Sequence, residues 1–258
     1  RIRSRKTKEE IAQIQNAVNI TAKAFQRVLR FVKPGVKEYE IEAEITHEFL
    51  RNGSRGHAYT PIIASGYNAC VLHYITNDDT CKSGDVILMD FGCEYGGYAS
   101  DLSRSIPVNG KFTKRQRDVY NAVLNVQKAA TKLLLPGVYL ADYHKKVGAL
   151  MEKQLIGLGL LDKKAVAKQD PEKPLYKKYF MHGTSHFLGL DVHDVGLWHE
   201  PIVEGMVFTV EPGIYIPEEN LGIRIENNIL VTKNGQVDLF KNIPREVDEI
   251  EAFMKKGK

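Results

Sequence analysis

The sequence predicts an α+β fold built from two related halves. Three observations predict it: helical hydrophobic spacing precedes β-rich sequence, this order occurs twice along the chain, and short stretches of the two halves align with each other. We expect a single domain over residues 1–258, with internal halves at approximately 7–115 and 116–240.

The elements follow in chain order. Residues 7–33 have helical apolar spacing that stops at Pro34-Gly35, and a second amphipathic helix, "EYEIEAEITHEFLRNG", ends at Gly53. Short β-rich runs separated by turn residues fill 58–110. Helical patterns return at 113–138 and 140–159, a lysine-rich surface excursion follows at 162–178, and β-rich sequence occupies 180–240.

Composition excludes several classes of protein. The net charge is +4, but the basic and acidic residues are interspersed, so charge gives no reason to expect nucleic-acid binding. No apolar run is long enough for a membrane helix, and we expect neither a membrane segment nor a signal peptide. The three cysteines form no metal-binding spacing, and their odd number is typical of a reducing compartment, so a cytoplasmic location is expected.

The internal alignment selects four carboxylates. "GDVILMDFG" (84–92) aligns without gaps on "GMVFTVEPG" (205–213), which places Asp90 on Glu211. "SDLSRSIPVNG" (100–110) aligns on "IENNILVTKNG" (225–235), which places Asp101 on Glu226. A weaker match of "LHY" (72–74) on "VHD" (192–194) pairs two histidines, His73 and His193. The repeat therefore predicts a centre to which each half donates two carboxylates and a histidine.

Two of these carboxylates flank a predicted hairpin, "MDFGCEYGGYASD". A turn centred on Tyr95-Gly96 would place Asp90 directly opposite Asp101, and like charges at that position destabilise a strand pair. A divalent cation would offset the repulsion, and without one we expect the two aspartates to move apart, hold water or keep a proton. His186, in the glycine-rich and non-helical "MHGTSHFLGLDVHDVG", adds a nitrogen ligand and favours a pair of transition ions.

These motifs, together with "TVEPGIY" and "GIRIENN", resemble the catalytic domain of the pita-bread metallopeptidases, most closely the aminopeptidase P group. The resemblance implies a pseudo-twofold fold of helices packed on a curved, mainly antiparallel sheet. It also implies two divalent ions, with manganese favoured and cobalt or zinc as alternatives. Asp101 and Glu226 would bridge both ions, Asp90 would bind one, and His186 and Glu211 would bind the other.

The resemblance further implies a set of substrate-binding and catalytic residues. His193 would donate to the scissile carbonyl oxygen, and Glu211 would carry a proton from the attacking water to the proline nitrogen. His73 and His182 would border the proline pocket. Two more residues complete the set: Arg224 on the far side of the substrate and Tyr215 near the metals. The other tyrosines are interpreted as packing residues.

The activity implied is removal of an N-terminal residue that precedes proline, through a hydroxide that bridges the metals. Prolidase, which cleaves Xaa-Pro dipeptides, remains an alternative, since only Ser185 in "HGTSHFLG" separates the two, and a non-catalytic peptide-binding module is a third possibility. The expected partners are peptides with proline at position two. The family resemblance implies a homo-oligomeric parent with an N-terminal domain, and we expect that domain to be absent from residues 1–258.

Overall fold

The computed structural model describes residues 2–256; residue 1 and residues 257–258 of the predicted domain lie outside them. The α-helices are α1 (Lys8–Phe31), α2 (Glu38–Arg51), α3 (Lys114–Leu133), α4 (Leu140–Gly157), the single-turn α5 (Lys163–Val166) and α6 (Val247–Lys256). Short 3₁₀ turns lie at Gly66–Cys70, Leu175–Lys178 and Pro217–Glu219.

The strands are short and every recorded pairing among the described residues is antiparallel. They are β1 (Gly56–His57), β2 (Ile62–Ser65), β3 (Val86–Phe91), β4 (Cys93–Tyr95), β5 (Tyr98–Ala99), β6 (Leu102–Pro107), β7 (Val207–Val210), β8 (Gly213–Ile216), β9 (Leu221–Arg224), β10 (Asn227–Thr232) and β11 (Gly235–Asp238). The sheet orders are β1-β4-β5, β2-β3-β6, β11-β10-β7 and β8-β9.

The first helix of each half begins with the same local chemistry. The Thr7 side chain accepts from the backbone N–H of Glu10, and the Glu10 carboxylate accepts from the Thr7 N–H. Thr113 and Gln116 repeat this capping box at α3. Such a box satisfies two N–H groups that a helix start leaves without partners. The second half therefore begins structurally at α3, close to the predicted boundary at residue 116.

The sheet topology also repeats. In the first half β3 and β6 pair, and the β4–β5 hairpin lies between them in sequence; in the second half β7 and β10 pair, and the β8–β9 hairpin lies between them. Residues 184–188 run beside β7 as β2 runs beside β3, through three backbone bonds that include Thr209 N to His186 O at 3.0 Å. The predicted repeat of helices followed by strands is confirmed.

The hydrophobic core joins the two halves. One buried cluster contains Phe25 and Phe49 from the helices of the first half, Val123 and Met151 from those of the second, and residues of the central strands such as Phe208. All three cysteines are free, and Cys81 and Cys93 are buried, as the sequence predicts for thiols outside a metal site.

Two local expectations differ from the structure. The hairpin turn lies at Gly96-Gly97, because both glycines have positive φ (60° and 85°), the combination that a two-residue type I′ turn requires. Asp90 is consequently opposite Ser103, and the prediction that it faces Asp101 directly is wrong. Helix α6 lies beyond the two predicted halves and was not predicted. It packs Ile250 and Met254 into the core.

Candidate metal centre

The repeat delivers the four predicted carboxylates to one place. Asp90 lies within β3 and Asp101 immediately before β6, while Glu211 follows β7 and Glu226 immediately precedes β10. His186 lies on the segment beside β7. All five line one cavity of about 540 Å³, together with predicted substrate residues: His73, His182, His193 and Arg224. The structure thus brings nine of the ten predicted site residues to one cavity. The tenth, Tyr215, lies behind the wall, where its hydroxyl contacts His182 and Arg224.

Hydrogen bonds between the two halves fix the carboxylates relative to each other. The Asn228 side chain, from β10, accepts from the Asp101 backbone N–H at 3.0 Å and donates to its carbonyl at 2.8 Å. The Glu226 backbone N–H donates to the Ser103 carbonyl at 3.1 Å, and the fully buried Arg104 donates to the Glu226 carbonyl at 2.6 Å. These bonds cross between β6 and β10, so neither half can place its carboxylates without the other.

Three of the five candidate ligands form the tightest group. Asp101, His186 and Glu226 each offer a ligand atom, and these atoms lie within 4.8 Å of one another. Glu226 Oε2 accepts from Ser103 Oγ at 2.7 Å, whereas the buried Oε1 has no hydrogen-bond partner. A buried carboxylate oxygen without a partner is costly, and a divalent cation would satisfy it. The residues present therefore fit a divalent metal.

Tyr59 connects the two aspartates of the first half. Its hydroxyl lies 2.6 Å from an oxygen of Asp90 and 2.6 Å from an oxygen of Asp101. A hydroxyl carries one proton and can donate to only one of them, so the second short contact needs a proton on the carboxyl or a nearby cation. Burial and the neighbouring Asp90 raise the pKa of Asp101, which favours a proton on this carboxyl relative to an ordinary aspartate. The expectation that one aspartate keeps a proton agrees with this geometry.

Arg224 is buried and fully engaged. Its guanidinium donates to Asp90 at 2.7 Å, to the Tyr215 hydroxyl at 2.8 Å and to Ser103 Oγ at 2.8 Å. Although Glu226 is near in sequence, the ion-pair partner of Arg224 is Asp90. A fixed cation beside Asp90 reduces the repulsion within the carboxylate cluster.

A directional chain of hydrogen bonds runs from Arg224 to His182. Arg224 donates to the Tyr215 oxygen, so the Tyr215 hydroxyl proton is available to His182 Nε2 at 2.7 Å. His182 Nδ1 then donates to the Gly183 carbonyl at 2.7 Å. Burial lowers the pKa of His182 to about 4, so the ring is neutral and this tautomer is fixed.

His186 is oriented in the way that metal-binding histidines usually are. Its Nδ1 donates to the Phe187 carbonyl at 2.9 Å, which leaves Nε2 facing Asp101 Oδ2 at 3.4 Å and Glu211 Oε1 at 3.5 Å. Although burial opposes it, the bond to Asp101 and the charge of Glu211 raise the pKa of His186 to about 9. In the metal-free protein a proton on Nε2 therefore occupies the position that suits a cation.

The two histidines paired by the weaker repeat are both exposed at the cavity rim. His73 lies in the loop after the Gly66–Cys70 turn, and His193 lies in the loop after residue 187. The His193 ring packs edge-on against His186, with ring centroids 4.4 Å apart. Both imidazoles can therefore reach a molecule that enters the cavity.

The sequence pattern of metallopeptidase family M24 matches residues 12–233, most of the chain. The chain belongs to this family. It is 43% identical to the Xaa-Pro aminopeptidase of Escherichia coli (strain K12), over 96% of this chain and 59% of the relative. It is 35% identical to human Xaa-Pro aminopeptidase 3, over 98% and 52%, and 36% identical to human Xaa-Pro dipeptidase, over 96% and 59%.

Solved structures of the family have the same fold. Zinc-substituted E. coli aminopeptidase P in complex with product superposes with a TM-score of 0.93 at 40% identity. The superposition covers 100% of this chain and 61% of that chain. The same enzyme with the inhibitor Pro-Leu gives a TM-score of 0.93 at 40% identity, covering 99% and 61%. The pita-bread fold predicted from the motifs is confirmed. The chain spans about six tenths of the length of the E. coli relative.

Several residues of this M24 site escaped the sequence analysis. Tyr59 was grouped with the packing tyrosines, and that interpretation is wrong because its hydroxyl bridges Asp90 and Asp101. Ser103 and Asn228 were not predicted either, although each lies two residues after a candidate ligand. That spacing is the one signal that could have indicated them, since residues two apart on a strand share a face.

Proposed function

We propose that this M24 domain is a dinuclear-metal aminopeptidase that hydrolyses the bond between an N-terminal residue and a penultimate proline. The observation that carries the proposal is the convergence of five oxygen and nitrogen ligands in one cavity that three histidines also line. We further infer that the described residues act as one catalytic domain, because a single buried cluster includes both halves.

The proposed ligands are the predicted ones: Asp90, Asp101, His186, Glu211 and Glu226 would together hold two divalent ions. Divalent ions held there would polarise the scissile carbonyl and lower the pKa of an attacking water. The mixed carboxylate and imidazole set suits manganese, and cobalt or zinc also fits the set.

Glu211 is the proposed proton carrier. Its Oε1 accepts from Thr209 Oγ1 at 3.1 Å, which orients the carboxylate toward the cavity. Without metal, burial raises the pKa of Glu211 to about 7, against the opposing charge of His186. A carboxylate beside the attacking water is the kind of group that carries protons in hydrolysis. The proton would leave the attacking water and reach the proline nitrogen, because an imide nitrogen must be protonated to leave as an amine.

The histidines and Arg224 are proposed to bind substrate. His193 would donate to the carbonyl oxygen as negative charge develops there. His182 presents a neutral ring edge to the cavity, held by Tyr215, and with His73 would border the proline ring. Arg224 would act on the substrate indirectly, through the hydrogen bonds that connect it to Tyr215 and His182. Its own donors are engaged with Asp90, Tyr215 and Ser103.

A second candidate activity is that of a prolidase, because the human Xaa-Pro dipeptidase is 36% identical over 96% of this chain. The sequence discriminator, Ser185, is buried and donates to the Thr209 carbonyl at 2.6 Å, so its hydroxyl is committed to the backbone. A non-catalytic binding module is disfavoured because all five candidate ligands are present.

The assay compares three substrates with the Mn-loaded chain: an Xaa-Pro-Pro-Yaa peptide, an Xaa-Pro dipeptide, and a peptide with alanine at position two. We expect release of the first residue from the first peptide, little from the third, and loss of activity in Asp101→Asn. Cleavage of the dipeptide alone would indicate a prolidase. Absence of all cleavage, with metal bound, would indicate a binding module.

Three features of the whole protein are also proposed. We propose a cytoplasmic location, which the three free cysteines support. Separately, none of the helices within residues 2–256 is long and apolar enough to cross a membrane. We propose peptides as the partners and a homo-oligomer as the form of the parent protein, which light scattering on that protein would test.

A further inference from the structure

The loop of residues 188–196 carries His193 and has no helix or strand of its own. The His193 ring contacts His186 edge-on, at an interplanar angle of 74°. Within the described part of the chain this ring makes no hydrogen bond. Its place over the cavity therefore depends on whatever fixes the loop that carries it.

Backbone hydrogen bonds fix the two ends of the loop. The Ala99 N–H, from β5, donates to the Gly189 carbonyl at 2.8 Å, and the Asp194 N–H donates back to the Phe187 carbonyl at 2.9 Å. The second bond closes the loop directly behind His193. Asp194 is the residue next to His193, so its position sets the direction in which that imidazole leaves the backbone.

The Asp194 carboxylate is held by the segment that precedes α1. Lys6 Nζ donates to Asp194 Oδ2 at 3.1 Å, and both side chains are only 1% exposed. Arg3 also donates to Asp194, and the Val195 N–H donates to Oδ1 at 2.9 Å. A buried ion pair adds little net stability, because desolvation opposes the attraction. Separating its two charges is nevertheless costly, because each would then be buried without a partner.

The surrounding backbone is built closely around this pair. A Cβ on Gly189 would lie 2.1 Å from Asp194 Oδ2 and 2.9 Å from Lys6 Nζ, so only glycine leaves room for the two charges. Lys6 is itself anchored, because its N–H donates to the Gly205 carbonyl at 2.7 Å and the next residue, Thr7, caps α1. The pair thus ties a loop without helix or strand structure to the start of α1 and, through Lys6, to the Gly205 backbone.

We propose that Asp194 is a positioning residue, which through its buried pairing with Lys6 fixes the loop of residues 188–196 and holds the His193 imidazole over the candidate metal centre. The catalytic consequence rests on the function proposed for His193. Residues 3–6, which precede every helix and strand, then belong to the architecture of the site.

The test begins with Lys6→Met, which keeps the length of the side chain and removes its charge. Asp194 loses its buried partner, the loop shifts, and kcat on an Xaa-Pro-Pro-Yaa peptide is expected to fall by about 10- to 100-fold, the effect of misplacing a group by about 1 Å. KM should change much less. Lys8→Met, which changes an exposed lysine at the start of α1 two residues away, is the matched control and should leave kcat unchanged.

A double-mutant cycle with His193→Ala separates positioning from a general loss of structure. If Lys6 acts through His193, then Lys6→Met costs no further activity once the imidazole is gone. The same fold loss in both backgrounds would overturn the proposal. Because Lys6→Met could lower stability, Lys6→Met with Asp194→Asn is included: it removes both buried charges, should restore the melting temperature, and should leave kcat low.

Imidazole NMR on the metal-free protein gives a readout that needs no activity. The His193 ring resonances should shift or broaden in Lys6→Met while those of His144, a half-buried ring outside the loop of residues 188–196, stay in place. If the wild-type chain cleaves no Xaa-Pro peptide, the proposed function fails. The NMR comparison of wild type with Lys6→Met still tests whether the Lys6–Asp194 pair fixes the position of His193. An unchanged His193 signal in Lys6→Met would refute the positioning role.

Discussion

The carboxylate cluster should make the metal-free protein less stable than a variant that cannot bind metal. Glu226→Gln is the informative change, because the amide matches the carboxylate in shape. Its carbonyl can keep the bond from Ser103, and its NH₂ takes the position of the Oε1 atom that has no partner. That NH₂ can donate to Asp101, whose ligand atom lies within 4.8 Å.

The magnitude follows from charge and from proton linkage. The ligand atoms of Asp101 and Glu226 lie within 4.8 Å of each other, and two like charges that close repel by at least about 3 kcal/mol at an effective dielectric constant of about 20. Burial raises the pKa of Glu226 well above its ordinary 4.5. At a pH between 4.5 and the raised pKa, the folded state holds a proton that the unfolded state has released. Stability of the wild type therefore falls as pH rises above 4.5. Weakening the bond from Ser103 offsets about 1 kcal/mol of the gain from the substitution.

Thermal melting in EDTA at pH 8 should accordingly show Glu226→Gln more stable than wild type by about 2 kcal/mol, or roughly 4–8 °C for a chain of this size. The difference should disappear near pH 4.5, and Mn²⁺ should raise the melting temperature of the wild type only. Glu172→Gln, in an exposed loop, serves as the control. A metal-free variant that melts at or below the wild type, or that gains equally from Mn²⁺, would refute the reasoning.

Three further outcomes are expected. Asn228→Ala leaves both backbone groups of Asp101 buried without their partners and should cost about 2–4 kcal/mol in urea unfolding; a loss below 1 kcal/mol would contradict the cross-half role of this side chain. Tyr59→Phe should destabilise the metal-free protein more than the Mn-loaded one, since a cation also relieves the repulsion between the aspartates; equal losses in EDTA and Mn²⁺ melts would argue against this. The pKa of His186 is raised to about 9, so its ion pair stabilises the metal-free fold fully below about pH 6.5 and is lost as pH rises through 9; His186→Gln should abolish that part of the pH dependence in EDTA melts.

Local chemistry made much of the fold predictable. Pro34-Gly35 and the capping box at Thr7 mark the limits of α1 because they act through the backbone within a few residues. The repeat was equally readable, since aligned strands carried Asp90 onto Glu211 and Asp101 onto Glu226. The wrong hairpin register shows the limit of this approach: either of two adjacent dipeptides could turn, and the positive φ of both Gly96 and Gly97 decided it.

The sequence by itself determined which residue types are available for a metal and which strands carry them, because strand periodicity and internal repetition are written along the chain. Only the tertiary structure decided how their charges are balanced. Tyr59 between two aspartates, Arg224 on Asp90 and Lys6 beneath Asp194 join residues from 31 to 188 positions apart. No local pattern encodes such contacts, since they exist only when packing excludes water and makes each buried charge require a partner.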